Sequence, residues 1–342
     1  MGSIFSRPFD LTSNLLVLDG MTGTGKTMFL PYLSSFKGVQ QGRFEYMIEY
    51  LNIAFSNKGI SSDSFESLIK ILVDSKFYDG IISREVNFRP NDLSSVLNSS
   101  KRWEYIKQLF QNDGDYVIQK LESEMHIPFF VTHQLIGKIS GMQDVFKDNL
   151  KIIEMVRHPA YLFNHWLSYI DQHGSSKRDF TMLLESGEGL VPWFAEPFKE
   201  KYISLKSEDK VMMSLYYLFL EVIKKKQEKS KNVIIIPFEE FVLNPSKFTN
   251  LIEKQFSLSA TNKTIKFLNK ENVPRRYIYQ GLNKNIYKRY GFQKETIEIS
   301  HREHLAKTAR QFINKLNSEA LEMYHYISRY YLDNFSNWSN ND

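Results

Sequence analysis

Residues 15–27 read LLVLDGMTGTGKT, and this stretch decides the fold. The four apolar residues at its start are typical of a buried parallel strand, because they show no alternation with polar residues. A glycine-rich turn follows, and a helical pattern extends from Lys26 to about Phe36. Residues 20–27 satisfy the spacing G-x-x-x-x-G-K-[ST], in which a strand, a tight loop and a helix together hold phosphate. The sequence therefore predicts a phosphate-binding loop.

The chemistry of phosphate binding explains the spacing within this loop. Glycine allows the backbone to curl so that its N–H groups point inward at phosphate oxygens, and the helix that follows adds the positive end of its dipole. Lys26 is expected to reach the outer phosphoryl group, and the hydroxyl of Thr27 to hold Mg²⁺ or another phosphate oxygen. The candidate phosphate-binding residues are Gly20, Thr22, Gly23, Thr24, Gly25, Lys26 and Thr27.

Further strands alternate with helices along the chain. Apolar runs at 127–132, 151–156 and 233–236 predict strands, and helical spacing lies between them. Such alternation favours a parallel sheet with helices on both faces. We therefore predict an α/β, three-layer P-loop fold formed by a single domain, residues 1–342. A large, mostly helical insertion is expected at 40–125, and a C-terminal helical segment at 300–335.

The composition excludes several classes of protein. The 342 residues include no cysteine, which rules out disulfides, thiol catalysis and cysteine-bound metal, and leads us to expect a cytoplasmic protein. The formal charge of +5 suits an anionic ligand, but it is too small to indicate nucleic acid without a concentrated basic patch. No apolar stretch approaches the ~20 residues of a transmembrane helix.

Gly2 matches a myristoylation pattern. His158, His165 and His173 match no compact zinc motif, so no metal site is predicted.

Three later segments, taken in order with the loop, give the chain a family resemblance. One strand ends in Val131-Thr132-His133, the next ends in Arg157-His158-Pro159, and the last leads into Phe238-Glu239-Glu240-Phe241 and Asn244-Pro245. This order resembles the sulfotransferases that use 3′-phosphoadenosine 5′-phosphosulfate. The resemblance covers about residues 12–36 and 127–256.

The resemblance implies a function and a role for each candidate residue. The enzyme would transfer a sulfuryl group from 3′-phosphoadenosine 5′-phosphosulfate to a hydroxyl or amine acceptor, without a metal. The loop would grip the 5′-phosphosulfate, Lys26 would neutralise the leaving phosphate, and His133 would be the base. Arg157 would pair with the 3′-phosphate, assisted by His165 or Ser168.

The sequence departs from the family pattern at several positions, so an alternative stays open. Gly23 stands where the family has a basic residue, Lys26 stands where nucleotide kinases have theirs, and His165 stands where the family expects serine. Val131 replaces the lysine before the base, and Arg289-Tyr290-Gly291 only loosely matches the C-terminal Arg-x-Gly element. The alternative is a kinase or nucleoside triphosphatase that uses ATP or GTP with Mg²⁺. Such an enzyme needs an acidic residue after another strand, and Glu239 is the best candidate, since Glu154 lies within its strand.

Overall fold

The computed structural model describes residues 4–12, 14–92, 94–124, 126–172, 177, 179–280 and 298–338. A five-stranded sheet, in which every neighbouring pair is parallel, has the order β2-β3-β1-β4-β7. Its strands are β1 (Leu15–Gly20), β2 (Arg43–Phe44), β3 (Phe129–Val131), β4 (Leu150–Val156) and β7 (Val233–Pro237). A separate antiparallel hairpin consists of β5 (Leu183–Ser186) and β6 (Gly189–Pro192). The α/β class predicted from the sequence is confirmed.

Helices account for most of the remaining described chain. Those before β4 are α1 (Lys26–Ser34), α2 (Tyr46–Ser56), α3 (Ser62–Ile81), α4 (Arg102–Gln108), α5 (Asp115–Ser123) and α6 (Ser140–Phe146). Those between β4 and the end of β7 are α7 (Pro159–Asp171), α8 (Lys199–Tyr202) and α9 (Ser207–Gln227). The last are α10 (Phe238–Leu243), α11 (Pro245–Phe256), α12 (Asn262–Lys270), α13 (His301–Arg310) and α14 (Ser318–Phe335). Short 3₁₀ turns lie at Val96–Asn98, Ile136–Lys138, Lys147–Asn149, Trp193–Phe198 and Ile313–Lys315.

Alternation along β1 divides the core into two layers around the sheet. Leu15 and Val17 pack into a cluster with residues of α2, α3, α7, α9 and α14. Leu16 and Leu18 point to the opposite face and pack with residues of α1, α10 and α11. Because successive strand residues face opposite sides of a sheet, these two clusters lie on opposite faces. The sheet is therefore the middle of three layers, as predicted.

The structure differs from the predicted elements mainly at short strands. The run at 127–132 forms only the three-residue strand β3, since Pro128 has no N–H to contribute to a sheet. β2 and the β5–β6 hairpin were not predicted, because strands of two to four residues give little periodic signal. No helix in the described part of the chain is long and apolar enough to cross a bilayer. Gly2 lies outside the described residues.

Candidate active site

The phosphate loop connects β1 to α1, and its shape depends on three glycines. Gly20, Gly23 and Gly25 have positive φ angles of 139°, 94° and 98°, which residues with a side chain rarely adopt. A Cβ atom at Gly25 would overlap the ring of Phe238, and one at Gly20 would overlap the carbonyl oxygen of Met155. No side chain caps α1, whose N-cap residue is Gly25. The first turn of α1 therefore offers N–H groups to an anion.

Lys26 points back into the loop. Its side chain is buried, and Nζ donates hydrogen bonds to the carbonyl oxygens of Gly20 and, at 3.1 Å, of Met21. Burial lowers the pKa of Lys26 to about 8, although the carboxyl groups of Asp19 and Glu154 act in the opposite direction. To contact an outer phosphate oxygen, Nζ of Lys26 has to turn away from these carbonyl oxygens. The contact of Lys26 with phosphate therefore stays a prediction.

Two buried carboxyl groups lie on β1 and β4, next to the phosphate loop. Asp19 and Glu154 are partners in the register of β1 and β4, so their side chains share one face of the sheet. Asp19 accepts hydrogen bonds from the hydroxyl of Thr132 at 2.9 Å and from the N–H of Leu135 at 2.7 Å. These bonds fasten the segment after β3 to the end of β1. Burial, with Asp19 beside it, raises the pKa of Glu154 well above its ordinary value, which favours the protonated form.

His133 lies just beyond the carboxyl end of β3, and the carboxyl group of Glu49 orients it. Oε1 of Glu49, on α2, accepts a hydrogen bond from the backbone N–H of His133 at 3.0 Å and lies 2.9 Å from Nδ1. The imidazole stacks nearly parallel to the rings of Phe44 and Tyr46. Burial, with the charge of Lys26, lowers the pKa of His133 to about 3, so the ring is neutral. When Nδ1–H donates to Glu49, Nε2 carries the lone pair that can accept a proton.

The charge of Glu49 controls this arrangement. Burial and the nearby carboxylate of Asp19 raise the pKa of Glu49 to about 8, and Lys26 and the N–H of His133 partly oppose the shift. An ionised Glu49 can only accept from Nδ1–H, whereas a protonated Glu49 can donate to Nδ1 and leave the imidazole proton on Nε2. The ionised form of Glu49 therefore favours the tautomer in which Nε2 of His133 can act as a base.

Arg157, which directly follows β4, is hydrogen-bonded to the phosphate loop. Nη1 donates a hydrogen bond to the carbonyl oxygen of Gly23 at 3.0 Å. The guanidinium carbon lies 4.8 Å from the ring centroid of Phe238 and 5.4 Å from that of Tyr161. Nε is 3.7 Å from a carboxylate oxygen of Glu239. Arg157 is thus buried beside the phosphate loop, and its role at a 3′-phosphate stays a prediction.

His165 and Ser168 lie on α7, which packs against the same loop. A Cβ atom added at Gly23 would lie 3.4 Å from the ring of His165, so this histidine borders the loop. Burial, with the charge of Arg157, lowers the pKa of His165 to about 4. Ser168 accepts a hydrogen bond from Gln172 at 3.4 Å. Ser168 lies about one turn further along α7 than His165.

Three residues that the sequence analysis assigned no functional role shape the site. Glu49 orients His133. Trp166, a buried residue of α7, donates its Nε1–H to the carbonyl oxygen of Thr22 at 2.9 Å. The hydroxyl of Thr22 donates a hydrogen bond to Oε1 of Gln134 at 3.3 Å. The one available signal was Glu49 itself, a carboxylate within the apolar pattern of α2, because charged residues are rarely buried without a partner.

An open pocket of about 520 Å³ adjoins His133, and we call it the His133 pocket. Its walls come from Thr22 of the phosphate loop, from α2 and α7, and from residues 179–182 together with Trp193. One cavity therefore touches both the phosphate loop and the candidate base.

The acids considered as magnesium partners have other roles. Glu239 accepts hydrogen bonds from the N–H of His158 at 3.3 Å and from the hydroxyl of Tyr331. Glu154 lies behind the loop, against Asp19. Among the described residues, no group of three or more histidine or acidic side chains is arranged to hold a metal ion.

The remaining candidates from the sequence are structural or fall outside the described chain. His158 caps the start of α7, where Nδ1 accepts from the N–H of Ala160, and Nε2 lies 2.9 Å from the hydroxyl oxygen of Ser328 on α14. His173 and Arg289-Tyr290-Gly291 lie outside the described residues.

No protein-family model matches the sequence, and no curated protein matches it. Several sulfotransferases, the family that the motifs resemble, are among the solved structures with a similar path of the chain. They include a sulfotransferase domain from the Synechococcus PCC 7002 olefin synthase, at 9% identity and a TM-score of 0.41, with 92% of this chain and 100% of that one covered. Mouse sulfotransferase SULT7A1 complexed with PAP matches at 11% identity and a TM-score of 0.40, with 97% and 88% covered. A sulfotransferase from Alicyclobacillus acidocaldarius matches at 12% identity and a TM-score of 0.38, with 92% of this chain and 96% of that one covered.

Proposed function

We propose that this chain is a sulfotransferase that moves a sulfuryl group from 3′-phosphoadenosine 5′-phosphosulfate to an acceptor in the His133 pocket. One observation carries the proposal. His133, oriented by Glu49, lines the same cavity as Thr22 of the phosphate loop. A base beside a phosphate cradle is what transfer to a hydroxyl or amine requires.

The residues around the loop fit such a donor. The uncapped first turn of α1 and the backbone of residues 20–27 would hold the 5′-phosphosulfate. Arg157 and His165 lie against Gly23 at the inner side of the loop, and we assign them, with Ser168, to the 3′-phosphate. Guanidinium suits this task because it can donate two parallel hydrogen bonds to a phosphate.

The transfer follows from these positions. The acceptor oxygen or nitrogen attacks sulfur in line with the leaving group, a new bond to sulfur forms, and the sulfur–oxygen bond to the donor phosphate breaks. The acceptor proton passes to Nε2 of His133. The leaving phosphate of adenosine 3′,5′-bisphosphate takes up negative charge, which Lys26 and the loop N–H groups would neutralise. The products are the sulfated acceptor and the bisphosphate.

The alternative function is that of an Mg²⁺-dependent kinase or triphosphatase, which the intact Gly25-Lys26-Thr27 favours. The nucleotide that the protein binds distinguishes the two functions. We expect adenosine 3′,5′-bisphosphate, in a metal chelator, to raise the melting temperature. At 100 times its dissociation constant, a ligand of the folded state adds about 2.7 kcal/mol of stability. Thermal unfolding with the bisphosphate and chelator, compared with ATP or GTP and Mg²⁺, is the measurement. Stabilisation by the Mg²⁺-triphosphates alone would overturn the proposal.

Glu49→Gln is expected to remove a pH dependence. In the native enzyme at saturating donor, the donor phosphates keep Lys26 protonated, so turnover should rise with pH around 8, because Glu49 loses its proton there and then accepts Nδ1–H. A glutamine keeps its oxygen toward the N–H of His133 but cannot ionise. The rate should therefore become flat with pH and about tenfold below the native plateau, since a hydrogen bond to a charged acceptor is replaced by a neutral one.

The measurement is turnover between pH 6 and 9. Glu66→Gln, on the exposed face of α3, is the control and should keep the native profile. If the rise near pH 8 persists in Glu49→Gln, another group is responsible for it.

A further inference from the structure

A cavity of about 510 Å³ lies at the end of the sheet opposite to the phosphate loop, and we call it the Lys101 cavity. Ile127, just before β3, donates to the carbonyl oxygen of Gly38 at 2.9 Å and accepts from the N–H of Gln40 at 3.0 Å. These contacts extend the pairing of β2 with β3 at the amino ends of both strands, whereas His133 follows the carboxyl end of β3. The cavity is therefore separate from the His133 pocket, and no described residue lines both.

Lys101 places a partly buried ammonium group in this cavity. Nζ donates hydrogen bonds to the carbonyl oxygens of Phe36, at 3.2 Å, and of Val39. These carbonyls follow the end of α1, so the two bonds have a structural role. An ammonium group has three N–H donors, and the described chain contains no acceptor for the third. Burial lowers the pKa of Lys101 to about 8, so the group is charged at neutral pH.

Two amide groups add further donors to the lining. Nε2 of Gln40 is buried and has no hydrogen-bond partner among the described residues. Gln40 lies in the wall that the Lys101 cavity shares with a smaller cavity beside β2. Oε1 of Gln108 accepts from the hydroxyl of Ser83 at 3.0 Å, and no described residue accepts from its NH₂ group. A buried donor without an acceptor is unfavourable, so a ligand that supplies acceptor oxygens would be stabilised here.

The charge of the described lining is positive. Its charged side chains are Lys37, Lys101, Lys263 and Glu104, and burial lowers the pKa of His126, which keeps that ring neutral at pH 7. Three lysines against one carboxylate leave a surplus of two positive charges. Glu104 is ion-paired with Lys263 at 3.0 Å, and Lys37 is exposed, so it contributes charge rather than contact. The lining therefore suits a dianion.

Apolar side chains form the rest of the wall. Phe36, Val39, Ile81 and Tyr105 are all buried and line the cavity. The hydroxyl of Tyr105 accepts a hydrogen bond from the N–H of Gln41 at 2.6 Å, which fixes the ring. Cavities that bind small organic molecules have volumes of about 300–1,000 Å³ and mostly apolar walls. An inorganic ion alone would leave this wall uncovered.

We propose that the Lys101 cavity is a second ligand site, which binds a small organic phosphomonoester. The phosphate oxygens accept hydrogen bonds from Nζ of Lys101 and from the NH₂ group of Gln108, and the organic part packs against the apolar wall. A phosphomonoester carries a charge of about −1.5 to −2 at pH 7 and three acceptor oxygens, which match the surplus charge and donors of the lining. This site is independent of the function proposed above.

The test is calorimetric titration of phenyl phosphate at about pH 7, where its second proton is mostly lost. It is added to the native protein after adenosine 3′,5′-bisphosphate has filled the donor site, and in parallel to Lys26→Met, whose phosphate loop is disabled. We expect one molecule to bind in both preparations. Phenyl sulfate, a monoanion of the same shape, and inorganic phosphate, which lacks the ring, should each bind about tenfold more weakly.

Gln108→Glu should weaken the binding of phenyl phosphate about tenfold or more, because it places a negative charge beside the phosphate. The variant keeps an acceptor for Ser83 and the bonds of Lys101, so the fold is preserved. Lys101→Met should abolish binding, but it also removes the bonds at the end of α1. Gln119→Glu, at an exposed position of α5, is the matched control and should bind like the native protein.

Absence of phenyl phosphate binding in both preparations would overturn the inference. Equal affinity for phenyl sulfate or for inorganic phosphate would do the same, because neither dianionic charge nor an organic part would then be recognised. An unchanged affinity in Gln108→Glu would place the ligand elsewhere. The donor site is assessed separately by the bisphosphate, so these outcomes leave the proposed transfer reaction untouched.

Discussion

His133→Ala is expected to lower turnover about 10²- to 10⁴-fold while the affinity for adenosine 3′,5′-bisphosphate changes little. The imidazole lies in the His133 pocket and, in this account, takes the acceptor proton during transfer and makes no contact with the donor phosphates. Its removal should therefore slow the chemical step without weakening the donor complex. The measurements are steady-state turnover and calorimetric titration of the bisphosphate on the same preparation.

Two further variants keep this experiment decisive. His133→Asn retains a side chain that can donate to Glu49, so it guards against loss of activity through an unpaired buried carboxylate. His325→Ala, at an exposed position of α14, is the control and should be fully active. Near-native turnover in His133→Asn would show that His133 is not the base. A parallel loss of bisphosphate binding would place it in the donor site instead.

Lys26→Met is expected to lower turnover about 10²- to 10³-fold and to weaken bisphosphate binding. The ammonium is the basic group of the loop itself, and it is expected to turn from the carbonyls of Gly20 and Met21 to the donor. Burial lowers its pKa to about 8, so its charge is present below that pH and lost above it. The affinity of the native protein for the bisphosphate should therefore fall as pH rises through 8.

Calorimetric dissociation constants at pH 6.5, 8 and 9.5 test this dependence. In Lys26→Met the affinity should be weak at all three, with no such fall around pH 8. Lys37→Met, at an exposed position just after α1, should behave like the native protein. A native affinity that stays constant across this range would contradict the proposed role of Lys26.

Much of the fold could be predicted because its signals are local. A buried strand, three glycines and a helix start follow one another within residues 15–27, and each is determined by near neighbours in the chain. The longer strands and helices repeat the same kind of signal. The phosphate loop and the position of His133 at a strand end could therefore be read from the sequence.

The rest of the site depends on contacts between distant residues. Glu49 reaches His133 across 84 positions, and the carboxyl groups that favour the charged form of Lys26 come from β1, β4 and α2. Trp166 has the spacing of a core residue, and only the packing of α7 on the loop shows its hydrogen bond to Thr22. Such features need the folded chain, since periodicity reports which face is buried but not what that face meets.

The central claim is metal-independent sulfuryl transfer, and the most direct measurement is chromatographic detection of adenosine 3′,5′-bisphosphate formed from 3′-phosphoadenosine 5′-phosphosulfate in a metal chelator. The acceptors supplied are neutral glycosides, phenols and amines together. We predict that the native protein forms the bisphosphate and an equal amount of sulfated acceptor, and that His133→Asn does not. An intact phosphosulfate after prolonged incubation, with ATP or GTP consumed by the same preparation in the presence of Mg²⁺, would contradict the account.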